Sequence, residues 1–147
     1  MQKERHKLVP SSYLVLIRDG KILLLRRFNT GWMDGYYSFV AGHAESGETF
    51  PECIIREAKE EAGIGLKQKD LEVVHVMHRK SDGVENERID VFIKAKKYYG
   101  EIKNMEPDKC SGLKWFDIDR LPENIIPYIR QAIENIQSRL FYSEFGW

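Results

Sequence analysis

The sequence predicts a single α/β domain, with short strands on both sides of a central helix and a second helix near the C-terminus. Three observations support this prediction: apolar runs of strand length, one segment with helix start and stop signals, and a later segment with apolar residues at helical spacing. The chain has 147 residues, the length of one ordinary domain, so residues 1–147 are expected to form one unit.

Two apolar runs near the N-terminus predict an antiparallel hairpin. They cover residues 13–17 and 22–25, and the dipeptide Asp19-Gly20 between them is a strong signal for a two-residue turn. After a loop rich in Gly and Asn, the segment YYSFVAG predicts a short strand that ends at Gly42.

The central helix is predicted from the signals at its two ends. Thr49 followed three positions later by Glu52 is a capping-box pattern, and Gly63 suits the left-handed residue that follows a helix. A helix is therefore expected from Phe50 to Ala62, with Pro51 in its first turn.

Three carboxylates lie along one flank of this helix. At about 100° per residue, Glu57 falls between Glu60 and Glu61. Like charges at this spacing repel, and acidic residues near a helix C-terminus oppose the macrodipole, so the pattern is a poor choice for stability alone. A divalent cation would reverse the sign of that cost, whereas an ordinary solvated helix face is the alternative interpretation.

The second half of the chain predicts three more strands and a helix. LEVVHVMHRK and ERIDVFIKAKKY predict a strand pair around the turn Ser81-Asp82-Gly83, and LKWF predicts a further strand. ENIIPYIRQAIENIQSRL predicts an amphipathic helix, with Pro127 in or near its first turn. The aromatic C-terminus LFYSEFGW is expected to dock on the core or on a second copy of the chain, which would make a homodimer.

The composition excludes several classes of function. Basic and acidic residues balance at 23 each, so the chain lacks the positive field that extended nucleic acid or an anionic membrane would require. No stretch has membrane-spanning length, and no signal peptide is evident. Cys53 and Cys110 are too few for a disulfide framework and indicate reduced thiols, so a cytoplasmic location is expected.

The segment from residue 42 to residue 64 resembles the signature of the Nudix hydrolases, G-x5-E-x7-R-E-U-x-E-E-x-G-U, in which U is a bulky apolar residue. The one departure is Ala58, which is smaller than the usual residue at that position. The resemblance implies an α/β/α sandwich with a mixed, strongly curved sheet, and the order of the flanking elements extends it over nearly the whole chain. The matching residues are Gly42, Glu48, Arg56, Glu57, Glu60, Glu61, Gly63 and Ile64.

The resemblance also implies a metal site. Glu57, Glu60 and Glu61 match metal-binding positions of the family, and the carbonyl of Gly42 is expected to add a ligand. Oxygen ligands without a nearby His or Cys suit Mg²⁺, with Mn²⁺ as a substitute. Glu57 and Glu60 are also candidate catalytic residues, together with Arg56, which matches a position that pairs with the residue at Glu48 and orients the helix.

The general base varies within the family and can lie outside the signature. Glu106 and Asp108, which precede the predicted strand at Trp115, are therefore candidates for an extra carboxylate. Ordinary turn acids beside a proline are the alternative interpretation of both residues.

The stretch 103–124 is similar to the corresponding part of small MutT-like enzymes, which cleave nucleoside triphosphates to monophosphate and pyrophosphate. This similarity places Glu123 and Asn124 near the base, and ring residues before the signature, including Trp32 and Tyr37, could stack on it. The expected function is therefore hydrolysis of a phosphoanhydride bond in a nucleoside triphosphate or modified nucleotide.

Two alternatives stay open. One is a pyrophosphatase for ADP-ribose or another nucleoside diphosphate linked to a further group. The other is a module that binds a nucleotide without cleaving it, which the complete set of signature acids disfavours.

Overall fold

The structure of the chain, a computed structural model, describes residues 3–81 and 87–147. Its strands are β1 (Val9–Val15), β2 (Ile17–Arg18), β3 (Lys21–Arg27), β4 (Tyr37–Ser38), β5 (Ala41–His43), β6 (Leu71–Lys80), β7 (Glu87–Ala95), β8 (Cys110–Asp117) and β9 (Tyr142–Phe145). Its α-helices are α1 (Phe50–Ala62) and α2 (Pro127–Gln137), and a short 3₁₀ turn covers Gln68–Asp70.

The strands form two sheets. The larger sheet has the order β5-β1-β7-β6-β9, in which β1 is parallel to β7 and β6 is parallel to β9, while the other neighbours are antiparallel. In the smaller sheet, β3 pairs antiparallel with β2, β4 and β8. The predicted mixed sheet is confirmed in the larger sheet, although the hydrogen bonds divide the strands between two sheets.

The two helices cover opposite faces of the strands. Because side chains alternate along a strand, Leu14 packs in one core cluster with Ile54 of α1, while Tyr13 packs in a second cluster with Ile129 of α2. This arrangement confirms the predicted α/β fold with an α/β/α sandwich.

The predicted N-terminal hairpin is confirmed at its turn and corrected in its first strand. Asp19 and Gly20 both have left-handed backbones, with φ of 52° and 73°, as a tight hairpin turn requires. Of the predicted first strand, however, only β2 pairs with β3 in the hairpin, because the chain leaves the larger sheet at Leu16. Residues 9–15 instead pair with β7 and β5, and their backbone hydrogen bonds are therefore committed to the other sheet.

The single strand predicted for YYSFVAG is divided into β4 and β5, which belong to different sheets. Phe39 and Val40 lie between these strands, and each is 2% exposed. The carbonyl of Val40 accepts a hydrogen bond from Leu14 N at 2.8 Å, which starts the pairing of this segment with β1.

Helix α1 has the predicted bounds and both predicted caps. The side chain of Thr49 accepts a hydrogen bond from Glu52 N, and the Glu52 side chain accepts one from Thr49 N, which completes the capping box. Gly63 has a left-handed φ of 68°, and its N–H donates to the last carbonyls of the helix. Ala58, the small residue in the signature, is fully buried in the core beneath α1.

The strand pair β6 and β7 is confirmed, whereas the turn predicted at Ser81-Asp82-Gly83 includes Asp82 and Gly83, which lie outside the described residues. The strand predicted at LKWF is longer than expected and forms β8. The C-terminal segment docks on its own chain as β9, which pairs with β6.

Helix α2 begins at Pro127, later than the apolar spacing from Ile125 indicated. The backbone before it stays extended because Tyr37 N donates to Asn124 O at 2.8 Å and Ile126 N donates to Tyr37 O at 3.1 Å. Within the part of the chain that the structure covers, no helix combines the length and the apolar character needed to cross a lipid bilayer.

The N-cap of α1 is a testable determinant of stability. Replacing Thr49 with Ala removes the acceptor for Glu52 N, so we expect the free energy of unfolding to fall by about 1 kcal/mol in urea denaturation followed by circular dichroism. Thr49→Ser keeps the hydroxyl and is the matched control, expected within about 0.5 kcal/mol of the parent. Equal stability of the Ala variant and the parent would contradict this role.

Candidate functional site

Strand β5 brings its backbone against the carboxylate flank of α1. A Cβ atom added at Gly42 would overlap the Glu57 carboxylate, so glycine is needed here for space and not for backbone conformation. The carbonyl of Gly42 also accepts a weak hydrogen bond from the Cys53 thiol at 3.5 Å. The first residue of the signature and the first carboxylate on the helix are therefore direct neighbours.

Arg56 joins the helix, the preceding loop and β5. Its Nε and Nη2 donate to the two carboxylate oxygens of Glu48 at 2.8 and 3.0 Å, and Nη2 also donates to the carbonyl of His43 at 3.1 Å. Nη1 donates to Glu57 at 2.6 Å and to Glu60 at 3.3 Å. Hydrogen bonds from Arg56 lower the pKa of Glu48 to about 2.

The remaining carboxylates of the flank have different surroundings. The side chain of Glu60 is 54% exposed, whereas Glu61 is half-buried and accepts a hydrogen bond from Ala41 N at 3.1 Å. Burial, together with the charges of Glu57, Glu106 and Glu60, raises the pKa of Glu61 to about 8, against the lowering effect of the hydrogen bond from Ala41 N. Burial also raises the pKa of Glu57, against the lowering effect of Arg56.

Glu57, Glu60 and Glu61 form a carboxylate cluster on this flank of α1. The structure brings Glu106 close enough to act on this cluster, because its charge raises the pKa of both Glu57 and Glu61. Its backbone carbonyl accepts hydrogen bonds from the amides of Lys109 and Cys110, which fixes the turn before β8. Asp108 lies in the same turn and is exposed. Glu106 is therefore the better placed of the two predicted extra carboxylates.

The carboxylate side chains of Glu57, Glu60 and Glu61 do not converge on one point in the structure. Within residues 3–81 and 87–147, no three acidic, imidazole or thiol side chains are arranged as a metal site. The contacts of Arg56 explain this arrangement, because its guanidinium serves as the counter-ion of Glu48, Glu57 and Glu60.

A cleft of about 840 Å³ opens beside this cluster, and both Gly42 and Glu61 line it. One part of the lining is aromatic and another part is basic, which suits a ligand with a flat ring and negative charge. The ring residues of the lining are Tyr13, Trp32, Phe39, Tyr128 and Phe145. The basic residues of the lining are Arg27, Arg79, Lys80 and Arg88, with His43 beside them.

A buried polar network lies in the wall of the cleft. Arg79 donates from Nε to Asp90 at 2.6 Å, and its guanidinium lies 3.8 Å from the centroid of the Tyr128 ring. The hydroxyl of Tyr13 donates to the second oxygen of Asp90 at 3.1 Å and is 3.0 Å from the hydroxyl of Tyr128. Arg79 and Asp90 are 5% and 0% exposed, so the ion pair is internal.

Sequence reasoning missed this network, although the sequence contains a signal for it. In β6, His75, Met77 and Arg79 occupy alternate positions and are all buried, so Arg79 lies on the inward face of the strand. A charged residue at an inward-facing position of a strand indicates that a partner of opposite charge is buried beside it. Asp90 on the neighbouring strand β7 is that partner.

A loop before β4 carries the aromatic edge of the cleft. Arg27 donates from Nε to the carbonyl of Trp32 at 2.8 Å and lies 5.0 Å from the centroid of its ring. The carboxylate of Asp34 accepts hydrogen bonds from the amides of Thr30 and Gly31. These bonds hold the loop in a defined shape.

The three residues predicted to contact the substrate base, Tyr37, Glu123 and Asn124, lie outside the lining of this cleft. The Tyr37 ring packs edge-on against Phe116 at 4.7 Å, and Asn124 donates its side-chain amide to the carbonyl of Gly35 at 2.8 Å. Glu123 is exposed. None of the three predicted residues belongs to the lining of the cleft, where Trp32 is the ring residue that the sequence had singled out.

Comparison with known proteins identifies the family. The family model of the NUDIX domain matches residues 8–136, which include α1 and every strand from β1 to β8.

Curated relatives include NAD-capped RNA hydrolases. The NAD-capped RNA hydrolase NudC of Chromobacterium violaceum is 33% identical over 135 residues, which cover 88% of this chain and 48% of that protein. NudC of Pseudomonas aeruginosa is 30% identical over 120 residues, covering 79% of this chain and 38% of that protein. The chain therefore spans about half of the length of these relatives, or less.

Solved structures share the fold. The MutT Nudix hydrolase from Burkholderia pseudomallei superimposes with a TM-score of 0.79 at 26% identity, over 87% of this chain and 97% of that one. The MutT protein from Methanosarcina mazei gives a TM-score of 0.75 at 18% identity, over 92% and 97% of the two chains. Both structures therefore share the overall fold of this chain.

The signature residues meet at the end of a strand, a loop and a helix, and the family model covers the fold that positions them. The chain belongs to the Nudix hydrolase family, whose members act on pyrophosphate bonds.

Proposed function

We propose that the chain is a divalent-metal-dependent hydrolase that cleaves a phosphoanhydride bond of a nucleoside triphosphate or modified nucleotide, releasing nucleoside monophosphate and pyrophosphate. The observation that carries this proposal is the position of the carboxylate cluster. Gly42 and Glu61 border a cleft whose lining combines aromatic rings with an excess of basic side chains. A nucleotide has both a flat ring and a charged phosphate chain, so it matches both parts of this lining.

The donor atoms along this flank, rather than their present spacing, fit a divalent ion with oxygen ligands. Glu61 is buried enough that its pKa rises to about 8, and a bound cation would stabilise its charged form. The space left by Gly42 is occupied by the carboxylate of Glu57. We propose Glu57, Glu60 and Glu61 and the Gly42 carbonyl as ligands, with Mg²⁺ favoured by these hard donors and Mn²⁺ as a substitute. Such an ion supplies charge neutralisation to the phosphates and lowers the pKa of a bound water.

The protein side chains of the proposal have separate roles. Arg56 fixes the orientation of Glu57 through the contact at 2.6 Å, while its two bonds to Glu48 hold α1 against the loop. Glu57 and Glu60 are the candidate catalytic carboxylates. Glu106 is the extra carboxylate that we propose, because its charge already acts on the cluster.

The aromatic part of the cleft is proposed to hold the base. Trp32 lines the cleft from the loop, and Tyr128 lines it from α2, so both rings can contact a flat ligand. Contacts of Tyr37, Glu123 and Asn124 with the base stay a prediction. In the structure, Asn124 bonds to the backbone of the loop that carries Trp32, and could position that ring.

A second candidate function is supported by the curated relatives. NAD-capped RNA hydrolases at about 30% identity act on a capped RNA, as their name states. A nucleoside diphosphate linked to a further group, such as NAD or ADP-ribose, is therefore the alternative substrate class. The expectation that extended nucleic acid is not a partner stays a prediction.

Three further expectations remain proposals: that residues 1–147 form one domain, that the protein is cytoplasmic, and that it is a homodimer. Cys53 and Cys110 are free thiols, which is compatible with a reducing compartment. Strand β9 is an edge of the larger sheet, and Phe141 and Tyr142 are 58% and 52% exposed, so this edge is where we propose a second copy would pair.

A panel of nucleotides with Mg²⁺ tests the substrate class. The panel contains nucleoside triphosphates, oxidised nucleoside triphosphates, ADP-ribose, NAD and an NAD-capped RNA oligonucleotide, with products separated by anion-exchange chromatography. We expect the highest kcat/KM with a nucleoside triphosphate and the release of pyrophosphate. Faster release of two monophosphates from NAD or capped RNA would favour the second candidate, and nucleotide binding without turnover of any compound would contradict hydrolysis.

The metal assignment is tested by replacing a carboxylate with its amide. Glu60→Gln and Glu61→Gln are each expected to lower kcat by at least about a hundredfold, because the amide keeps the size and removes the charge. The fold should be retained, because Glu61 is half-buried and its substitution removes a charge that burial disfavours. Glu134→Gln, an exposed change on α2, is the matched control and should keep parental turnover. Parental turnover in both signature variants would refute the assignment.

The ion pair of Arg56 and Glu48 predicts a pH-dependent stability. The pKa of Glu48 in the folded state is about 2, below its usual value of 4.5. The stabilisation from the Glu48 charge is therefore fully present above pH 4.5 and is lost as the pH falls toward 2. Glu48→Gln should therefore lower the midpoint of urea unfolding at about pH 7, and the difference from the parent should disappear near about pH 2. The control Glu134→Gln should show no such difference. A constant difference at all pH values would show that the charge of Glu48 is not responsible.

A further inference from the structure

Two buried polar groups in the cleft lack hydrogen-bond partners among residues 3–81 and 87–147. They are the hydroxyl of Ser11, on a residue that is 2% exposed, and the Nε of Arg88. Both residues line the cleft. Buried polar groups are almost always paired, so two unpaired groups in one cleft indicate a ligand that supplies their partners.

These groups come together at one end of three neighbouring strands. Ser11 of β1 lies opposite His43 of β5 and Asp90 of β7. Arg88 precedes Asp90 by two residues, so it projects to the same face of β7, and its Nη1 is 3.0 Å from Nε2 of His43. One hydroxyl, one guanidinium and one imidazole therefore share this end of the cleft.

The charge at this end favours an anion. Arg88 and Lys80 line the same cleft, and among the residues described Glu61 is its only acidic lining residue. The nearby Asp90 is already compensated, because its two oxygens accept hydrogen bonds from Tyr13 and Arg79. Guanidinium and hydroxyl donors together are a typical phosphate-binding set.

The order of residues along β5 relates this end to the carboxylate cluster. Ala41 pairs with Tyr13 at the aromatic part of the cleft, and the next residue, Gly42, contacts Glu57. His43 follows and pairs with Ser11. Ala41 and His43, with the aromatic rings and the unpaired donors, thus lie on one face of β5, while Gly42 between them faces the carboxylate cluster on the other side of the same strand.

We propose that Ser11, Arg88 and His43 form an anion subsite for the terminal phosphate of a polyphosphate chain. In this arrangement the base occupies the aromatic part, the bond that is cleaved lies beside Gly42, and the terminal phosphate accepts hydrogen bonds from Ser11 and Arg88. The assignment to the terminal phosphate rests on the proposed function, whereas the binding of an anion does not. The subsite favours nucleoside triphosphates over diphosphates whose second phosphate carries a further group.

Binding of inorganic pyrophosphate in the presence of EDTA tests the subsite without the metal. In isothermal titration calorimetry, we expect Ser11→Ala to raise the Kd of pyrophosphate about tenfold, the size of a lost hydrogen bond to a charged group. Arg88→Ala should raise it by at least about tenfold. The melting temperature of Ser11→Ala should stay parental, because its hydroxyl has no hydrogen bond to lose among the described residues.

Two matched variants provide the controls. Ser12→Ala removes the neighbouring hydroxyl, which donates to Phe50 O on the α1 side of the strand, so it should lower stability and leave the Kd of pyrophosphate unchanged. Arg18→Ala removes an exposed arginine that contacts Tyr98 outside the cleft, and it should also leave the Kd unchanged. Equal weakening by Arg88→Ala and Arg18→Ala would show a general charge effect and overturn the proposal, as would parental affinity in Ser11→Ala and Arg88→Ala.

Nucleotides in EDTA identify which phosphate is bound. Ser11→Ala should raise the Kd of a nucleoside triphosphate by the same factor as the Kd of pyrophosphate, and it should leave the Kd of a nucleoside monophosphate unchanged. An equal increase in the Kd of both nucleotides would overturn the assignment to the terminal phosphate. If the parent does not hydrolyse nucleotides but the effects on pyrophosphate appear, the proposed function fails while the anion subsite stands.

Discussion

The guanidinium of Arg56 connects the three parts of the chain that form the carboxylate cluster. It binds Glu48 in the loop with two hydrogen bonds, the Glu57 carboxylate on the flank of α1, and the carbonyl of His43 at the end of β5. A planar guanidinium that donates in several directions fixes the orientation of all its partners at once. The negative charge along α1 opposes the helix dipole, but Glu57 and Glu60 are here paired with the Arg56 guanidinium. The strand, the loop and the helix therefore form one unit around Gly42, which provides the space for Glu57.

The alternation of side chains along β1 and β5 gives the larger sheet two different faces. Ser12 and Leu14 face α1, where they contact the helix or its core cluster, whereas Ser11 and Tyr13 face the cleft. The carboxylates lie along the α1 side, and the aromatic and basic side chains lie on the other side. Both sides meet at the end of β5, which is a short strand at the edge of the sheet. A ligand that contacts both surfaces must therefore cross this edge, which makes β5 the strand that relates binding to chemistry.

Part of the cleft lies outside the segment that the family model matches. The family model ends at residue 136, yet Phe145 and Gly146, beyond that end, line the cleft. Gly146 has a left-handed φ of 87°, and a Cβ atom there would overlap the carbonyl of Lys80, so the C-terminal segment fits closely against β6. MutT proteins and NAD-capped RNA hydrolases share the fold or the family with this chain. The cleft therefore includes residues outside the signature and outside the matched segment.

The sequence by itself determined the features that depend on neighbouring residues: the bounds and caps of α1, the turn at Asp19-Gly20 and the set of signature carboxylates. Capping and tight turns involve hydrogen bonds between residues two to four positions apart, so local patterns specify them. Only the tertiary structure decided that β1 and β2 join different sheets, that the C-terminus forms β9, and that Arg79 pairs with Asp90 in the wall of the cleft. It also directed Asn124 to the loop backbone and left the hydroxyl of Ser11 in the cleft without a hydrogen-bond partner among the residues that the structure describes. These outcomes depend on contacts between segments far apart in the chain, where several partners compete for each polar group, and a pattern of neighbouring residues does not specify which partner it meets.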